Sequence, residues 1–147
     1  MKLLILDSGH NEYVIGKEAP DKSLREWVFN NDMQYKIKKR AEEHGLTVFL
    51  TNPNPAKKDE IGLSKRPTLA NDYWIKNSKP QALFMSIHAN AYGTDFNGAR
   101  GTETYMAKNG SNNSKNAATY IQEELFKAIK AIDPSAKDRG VKSEISQ

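Results

Sequence analysis

The chain predicts an α/β fold, a twisted and mostly parallel sheet with helices on both faces, and three observations carry that expectation. Apolar runs of strand length, "KLLILD", "LTVFLT" and "ALFMSIH", recur along its 147 residues. Helix-length segments separate them, and strands alternating with helices imply a parallel sheet covered on both sides. No internal repeat, low-complexity tract or linker interrupts the pattern, so one domain over residues 1–147 is expected.

Each element has its own reason. "KLLILD" runs into Ser8-Gly9-His10, a strand leaving into a loop. Gly16 and Pro20 break the segment that follows. From about Leu24 to His44, Phe29, Met33, Ile37 and Ala41 recur every fourth position and predict a helix with one apolar stripe. Gly45 is placed to end it, with Lys38, Lys39, Arg40 and His44 near its negative end. "LTVFLT" is the second strand, followed by a proline-broken loop. "LSKRPTLANDYWIKNS" reads as a helix with Pro67 near its start, and "ALFMSIH" as the third strand. "GTETYM" alternates like a strand nearer an edge. Ser114 to Ile132, with Ala118, Ile121, Leu125, Ile129 and Ile132 in register and a cap expected at Ser114, is a further helix. The tail "DPSAKDRGVKSEISQ" has little periodicity.

Composition excludes several classes. Without cysteine there is no disulfide and no thiolate ligand, so a metal must be held by His, Asp or Glu. No window approaches the roughly 18 apolar residues of a membrane span, and the N-terminal apolar run is too short for a signal-peptide core. The net charge of +4 suits a polyanion, but the basic residues are scattered and no nucleic-acid signature accompanies them.

Two of the three histidines, His10 just after the first predicted strand and His88 at the end of the third, fall at the sheet edge where ligands gather in open α/β folds. Glu26 stands three, seven and eleven positions before Phe29, Met33 and Ile37, on the inward stripe, where a free carboxylate is costly unless paired or coordinated. Ser23-Leu24-Arg25-Glu26 also matches a capping box, in which Glu26 would return to the Ser23 amide. Two His and one Glu make an open catalytic zinc set with a fourth position left for water. The spacing leaves both readings open: structural histidines with a capping glutamate, or a metal centre.

Resemblance adds a family. "LLILDSGH", "APDKSLREWVFN", "HGLTVFLT", "LSKRPTLAN", "SIHANA", "GARGTETYM" and "DRGVK" occur in the order of the motifs of zinc-dependent N-acetylmuramoyl-L-alanine amidases, the cell-wall amidases of bacteria and their phages, and the sequence resembles that family along essentially its whole length. The resemblance implies the zinc amidase, phosphorylase/hydrolase-like fold. It implies zinc (Zn2+) held by His10, Glu26 and His88, and hydrolysis of the amide between N-acetylmuramic acid and L-alanine in peptidoglycan.

"DRGVK" resembles a late Arg-Gly-x-Lys turn that in the family leads into further strands carrying the catalytic glutamate, in a Pro-Ala-x-Leu-x-Glu context that does not occur here. An incomplete catalytic domain with its last strands missing is therefore expected. Weak activity and self-association through an exposed sheet edge would follow. Glu144 reads as a solvated charge. Glu103 matches the Gly-x-Glu-x-Tyr glutamate, whose expected role is support beside the site, and is the one carboxylate left to consider as a substitute base. The region after His10 resembles phage versions, which implies an endolysin made in the host cytoplasm and released onto the wall at lysis. A zinc-containing peptidoglycan-binding module that does not cut, and a carboxypeptidase on the same stem peptide, are the rival readings.

Asp7 suits either a hydrogen bond to a ligand histidine or the turn at Ser8-Gly9, and Arg66 an ion pair. His44 reads as a surface residue, and Trp27, Tyr73 and Trp74 as packing against the sheet or, where exposed, stacking on a sugar. Asn90 reads as part of the substrate groove.

Overall fold

The computed structural model describes residues 2–89 and 94–144. Strand β1 (Lys2–Ser8), helix α1 (Glu26–Glu43), β2 (Thr47–Leu50), α2 (Lys65–Lys76), β3 (Gln81–Ile87), β4 (Thr102–Ala107), α3 (Asn112–Ile132) and β5 (Asp138–Glu144) follow in that order. They fall into two compact units, Met1–Phe96 and Asn97–Gln147, each with its own sheet.

In the first unit the sheet order is β2-β1-β3 and both pairings are parallel, with Leu6 opposite Leu50 on one side and Ser8 opposite Ile87 on the other. β1 is central and buried from Leu3 through Ser8, as a near-continuous apolar run requires of a strand covered on both faces. Leu3 and Ile5 meet Ala70 of α2, with Phe49, Tyr73 and Trp74 packed around them and the Phe49 and Tyr73 rings stacked at 4.0 Å. Leu4 and Leu6 point the other way, towards the face on which α1 packs. Pro67 sits in the first turn of α2, where its missing N–H costs nothing. At the far end of α1, Gly45 takes φ 76° and its N–H donates to Glu42 O. The Leu46 N–H returns to Ala41 O, closing the helix as its glycine predicted. His44 is exposed, as expected.

Helix α1 corrects two expectations. Phe29 is exposed, and the fully buried residues are Asn30 and Gln34, one step round from the apolar stripe. The reason is what the helix packs over. The backbone leaving β1 and β2 has carbonyls to satisfy, and Asn30 Nδ2 donates to Gly9 O at 2.9 Å while Gln34 Nε2 donates to Asn52 O at 2.8 Å. Nor does the capping box form. The Ser23 amide and hydroxyl both donate to Asp21 Oδ1, and the N-cap is Arg25, with no side-chain cap. The Glu26 N–H donates to Lys17 O at 2.9 Å, beside an antiparallel bridge between Glu18 and Arg25. That backbone carbonyl does a cap's work and leaves the Glu26 side chain uncommitted.

In the second unit β4 and β5 pair in parallel, with a register shift between Thr102 and Thr104, and α3 packs on both. The segment containing "DRGVK", expected as a turn without periodicity, is strand β5. Its charged residues suit a strand whose partners are ionic. Gln122 of α3 is buried beside Ala118, accepts from Thr104 Oγ1 at 2.9 Å, and donates to Thr102 O at 2.9 Å and Asp138 Oδ1 at 2.6 Å. Leu125 and Ile132, counted in the apolar stripe, are exposed. The α3 cap is Ser111, whose hydroxyl accepts the Ser114 N–H at 3.2 Å, so Ser114 is the donor rather than the cap. Gly101, at φ 116°, has no room for a Cβ, which would lie 2.2 Å from Lys137 O.

Candidate metal centre

The parallel register of β1 and β3 brings their carboxyl ends level at Ser8 and Ile87. The Gly9 N–H donates to Ile87 O at 3.0 Å and extends that pairing by one residue. His10 and His88 then leave the sheet side by side, their rings edge to face with centroids 5.0 Å apart. Gly9 makes this possible: a Cβ there would lie 2.3 Å from His88 Cε1. His10 itself adopts φ 61°, a left-handed conformation that costs energy for a residue with a side chain and turns the imidazole back over the strand ends.

Glu26, the first residue of α1, enters from the other side. Its Oε1 lies 3.0 Å from His88 Nδ1 and 3.6 Å from His10 Nε2, and accepts the Ala89 N–H at 3.1 Å. Ligand atoms of His10, Glu26 and His88 all lie within 4.8 Å of one another. A tetrahedral zinc with bonds of about 2.05 Å holds its ligand atoms roughly 3.3 Å apart, and the two distances to Glu26 bracket that value. The donor set therefore fits such an ion.

Burial lowers the pKa of His10, and the charge of His88 adds to this, although Glu26 and Glu60 pull the other way. Burial alone would raise Glu26, but the hydrogen bond with His88, the charges of both histidines and the Ala89 amide outweigh it, holding the carboxyl below its ordinary value. A neutral imidazole and an ionised carboxylate are the forms that donate lone pairs to a cation.

Below the three residues lies a buried polar layer. Asp7 contacts neither histidine by hydrogen bond among the described contacts. It accepts from Thr51 Oγ1 at 2.5 Å, Arg66 Nη1 at 2.8 Å and, on its other oxygen, Ser86 Oγ at 2.8 Å. Arg66, 4% exposed, is the ion-pairing residue its sequence suggested. It also donates to Ser8 O at 2.8 Å, Ile61 O at 2.9 Å and Glu60 Oε1 at 2.6 Å. Asn52 Nδ2 donates to Ser8 O and Asn11 Oδ1, both at 3.0 Å. Sequence reasoning missed Glu60, Asn11, Asn30, Gln34 and Asn52. The signal was present for two of them, because Asn30 and Gln34 follow Glu26 at four-residue steps and form a polar stripe on its face.

Glu103 belongs to the second unit, on β4. Its Oε2 accepts from Lys142 Nζ at 2.5 Å and pairs with Arg139 Nε at 3.0 Å. The Lys142 hydrogen bond, against some opposition from burial and with help from the charges of Arg139 and Lys142, holds its carboxyl below the usual range. Asn90 and the side chain of Glu144 lie outside the described residues.

A parallel sheet thus carries, at its carboxyl edge, a His-Glu-His cluster that could hold a metal ion. The family model for N-acetylmuramoyl-L-alanine amidases matches residues 4–144, and the chain belongs to that family. The catalytic domain of CwlV, an N-acetylmuramoyl-L-alanine amidase from Bacillus (Paenibacillus) polymyxa var. colistinus, is 27% identical with a TM-score of 0.73 over 98% of this chain and 70% of that one. The CwlD amidase of Clostridioides difficile, solved in complex with the GerS lipoprotein, is 28% identical with a TM-score of 0.72 over 100% of this chain and 74% of that one. An N-acetylmuramoyl-L-alanine amidase from Clostridium difficile 630 shares the fold at 24% identity and a TM-score of 0.78, over 98% of this chain and 70% of that one. Among curated proteins no sequence match was found. The chain is thus an enzyme of the amidase class, acting on the amide between N-acetylmuramic acid and L-alanine in peptidoglycan. No described helix is long and apolar enough to cross a membrane.

Proposed function

We propose that the amidase reaction of this chain depends on zinc held by His10, Glu26 and His88. The observation that carries the proposal is the convergence of their three ligand atoms, from β1, α1 and β3, within 4.8 Å. Bound there, zinc would supply a water of near-neutral pKa and polarise the scissile carbonyl. The chain's own contributions are separable. Burial lowers the His10 pKa, which favours the neutral imidazole a cation needs, and its Nε2 lies 3.6 Å from Glu26 Oε1. Glu26, fixed by the Ala89 amide, supplies the negative charge that a divalent ion requires. His88 is exposed and marks the open side, from which a muramyl peptide reaches the cluster.

The test is metal analysis of the purified protein. About one zinc per chain is expected, strongly reduced in His88→Ala and in Glu26→Gln, with amide-bond cleavage on purified walls falling in parallel. Full zinc occupancy in the His88→Ala protein would refute the assignment. Product analysis separates the rival reading: an amidase frees an alanine amino terminus and leaves muramic acid intact, whereas a carboxypeptidase does not.

Two finer proposals accompany this one. For Glu103 we propose the supporting role, because two cations occupy its carboxylate. Glu103→Gln should keep cleavage within about tenfold of the parent, whereas a loss of about 100- to 10,000-fold would make it the base. We also propose action as the catalytic part of a phage endolysin. That reading rests on the phage-like "APDKSLREWVFN" and predicts lysis of susceptible cells by protein added from outside.

A further inference from the structure

His10 Nδ1 is buried with no hydrogen-bond partner, although its ring is held in a strained backbone conformation. The group it faces is Glu60 Oε2, 3.6 Å away. Glu60 comes from the loop before α2 and is fixed at both oxygens. Its Oε1 accepts Arg66 Nη2 at 2.6 Å, and its Oε2 accepts the Asn11 N–H at 3.1 Å. Arg66 in turn is clamped by Asp7, Ser8 O and Ile61 O. The carboxylate therefore cannot swing away from His10 without breaking its hydrogen bonds to the buried Arg66 and to the Asn11 amide. Asp7, the other acid nearby, has three donors of its own.

We infer that Glu60 is the positioning residue for His10: it accepts a hydrogen bond from Nδ1–H, fixes the tautomer, and so leaves Nε2 as the metal-binding nitrogen. The inference rests on the zinc reading of the cluster. A ligand imidazole whose second nitrogen donates to a carboxylate is held in orientation and made more basic, and removing such a partner costs about 10- to 100-fold in metal affinity. Arg66 then has a further consequence: it ties the ligand's orienting acid to Asp7 at the end of β1, so metal affinity and first-unit stability share one guanidinium.

The experiment uses the full chain. Zinc affinity is measured by competition with a chromophoric chelator for the parent, His10→Ala and Glu60→Gln, beside their circular dichroism and melting curves. Nitrogen-15 histidine NMR of the zinc-loaded parent reads the tautomer. Expected are a 10- to 100-fold weaker zinc affinity in a folded Glu60→Gln protein, and a parent His10 carrying its proton on Nδ1 with Nε2 metal-shifted. A Glu60→Gln protein that melts earlier yet binds zinc within threefold of the parent would reduce Glu60 to a structural role and overturn the inference. So would a parent in which Nδ1 is the metallated nitrogen, a result that decides the matter even if Glu60→Gln does not fold. If zinc binds the parent and is lost in His10→Ala while Glu60→Gln is unaffected, only this inference fails. If the parent binds no zinc, the metal reading fails with it.

Discussion

The two units bury polar groups for different ends. In the second, the described polar side chains pair with one another: Gln122 meets Thr102, Thr104 and Asp138, and Glu103 meets Arg139 and Lys142. In the first, the network ends on groups without partners. Among the described residues, the buried side-chain atoms lacking a hydrogen bond are those of Ser8, His10, Asn11, Trp27, Asn30 and Gln34, all in the first unit. Buried polar groups are ordinarily satisfied, and exceptions gather where a ligand, ion or water belongs. The contrast is what the proposed zinc centre would produce: one network is architecture alone, and the other surrounds the cluster proposed to hold a guest.

The largest expected effect tests the guest side. In Gly9→Ala the new Cβ would lie 2.3 Å from His88 Cε1, so the histidine must leave. Zinc content and wall cleavage should fall to the level of His88→Ala, read by metal analysis and amine release, while circular dichroism stays near that of the parent. Retained zinc would show that the close approach is dispensable.

Next comes the shared guanidinium. Arg66→Met strands Asp7 in the interior without its cation, and breaking a buried pair in this way costs about 3–5 kcal/mol, measured by denaturant unfolding. Loss below about 1 kcal/mol would mean that Thr51 and Ser86 suffice for Asp7. Gln122→Leu should cost less, about 1–3 kcal/mol, because Asp138 Oδ1 keeps the Gly140 amide and only part of the cluster is left unsatisfied. Zinc affinity should not change. If it does, the two networks are coupled and the contrast between them weakens.

The smallest effect is a pH dependence. The Glu103 carboxyl is depressed in the folded chain relative to its ordinary 4.5. Its pairing therefore stabilises fully above that value, and the contribution fades as pH falls below 4.5 and through the lower folded value. Melting temperatures between pH 6 and 3 should fall less steeply in Glu103→Gln than in the parent. Parallel curves would mean that the ion pairs with Arg139 and Lys142 contribute nothing measurable.

How much of this was legible beforehand differs by residue. The three apolar runs marked β1, β2 and β3; for the central β1 the reason is burial on both faces, whereas β3 carries the same pattern with residues such as Phe84 exposed. Gly45 marked a helix end because only a residue free of a Cβ takes φ 76° cheaply. His10, Glu26 and His88 could be singled out because polar residues at strand ends and on an inward helix face demand a reason. Tertiary structure decided the rest. Whether Glu26 capped its helix or faced the histidines depended on Lys17 O arriving from a loop to take the helix's first amide, a contact no local pattern encodes. That Asn30 and Gln34 are buried instead of Phe29 depended on which carbonyls lay beneath α1. β5 was invisible because its order comes from partners far along the chain, Glu103 and Gln122, rather than from hydrophobic alternation. Glu60 reaches His10 across 50 residues through Arg66 and Asn11. Sequence alone determined which chemistry was available, since residue types and local periodicity are written in it. Only the fold decided which lone pairs face one another, because that depends on distances between segments that sequence does not carry.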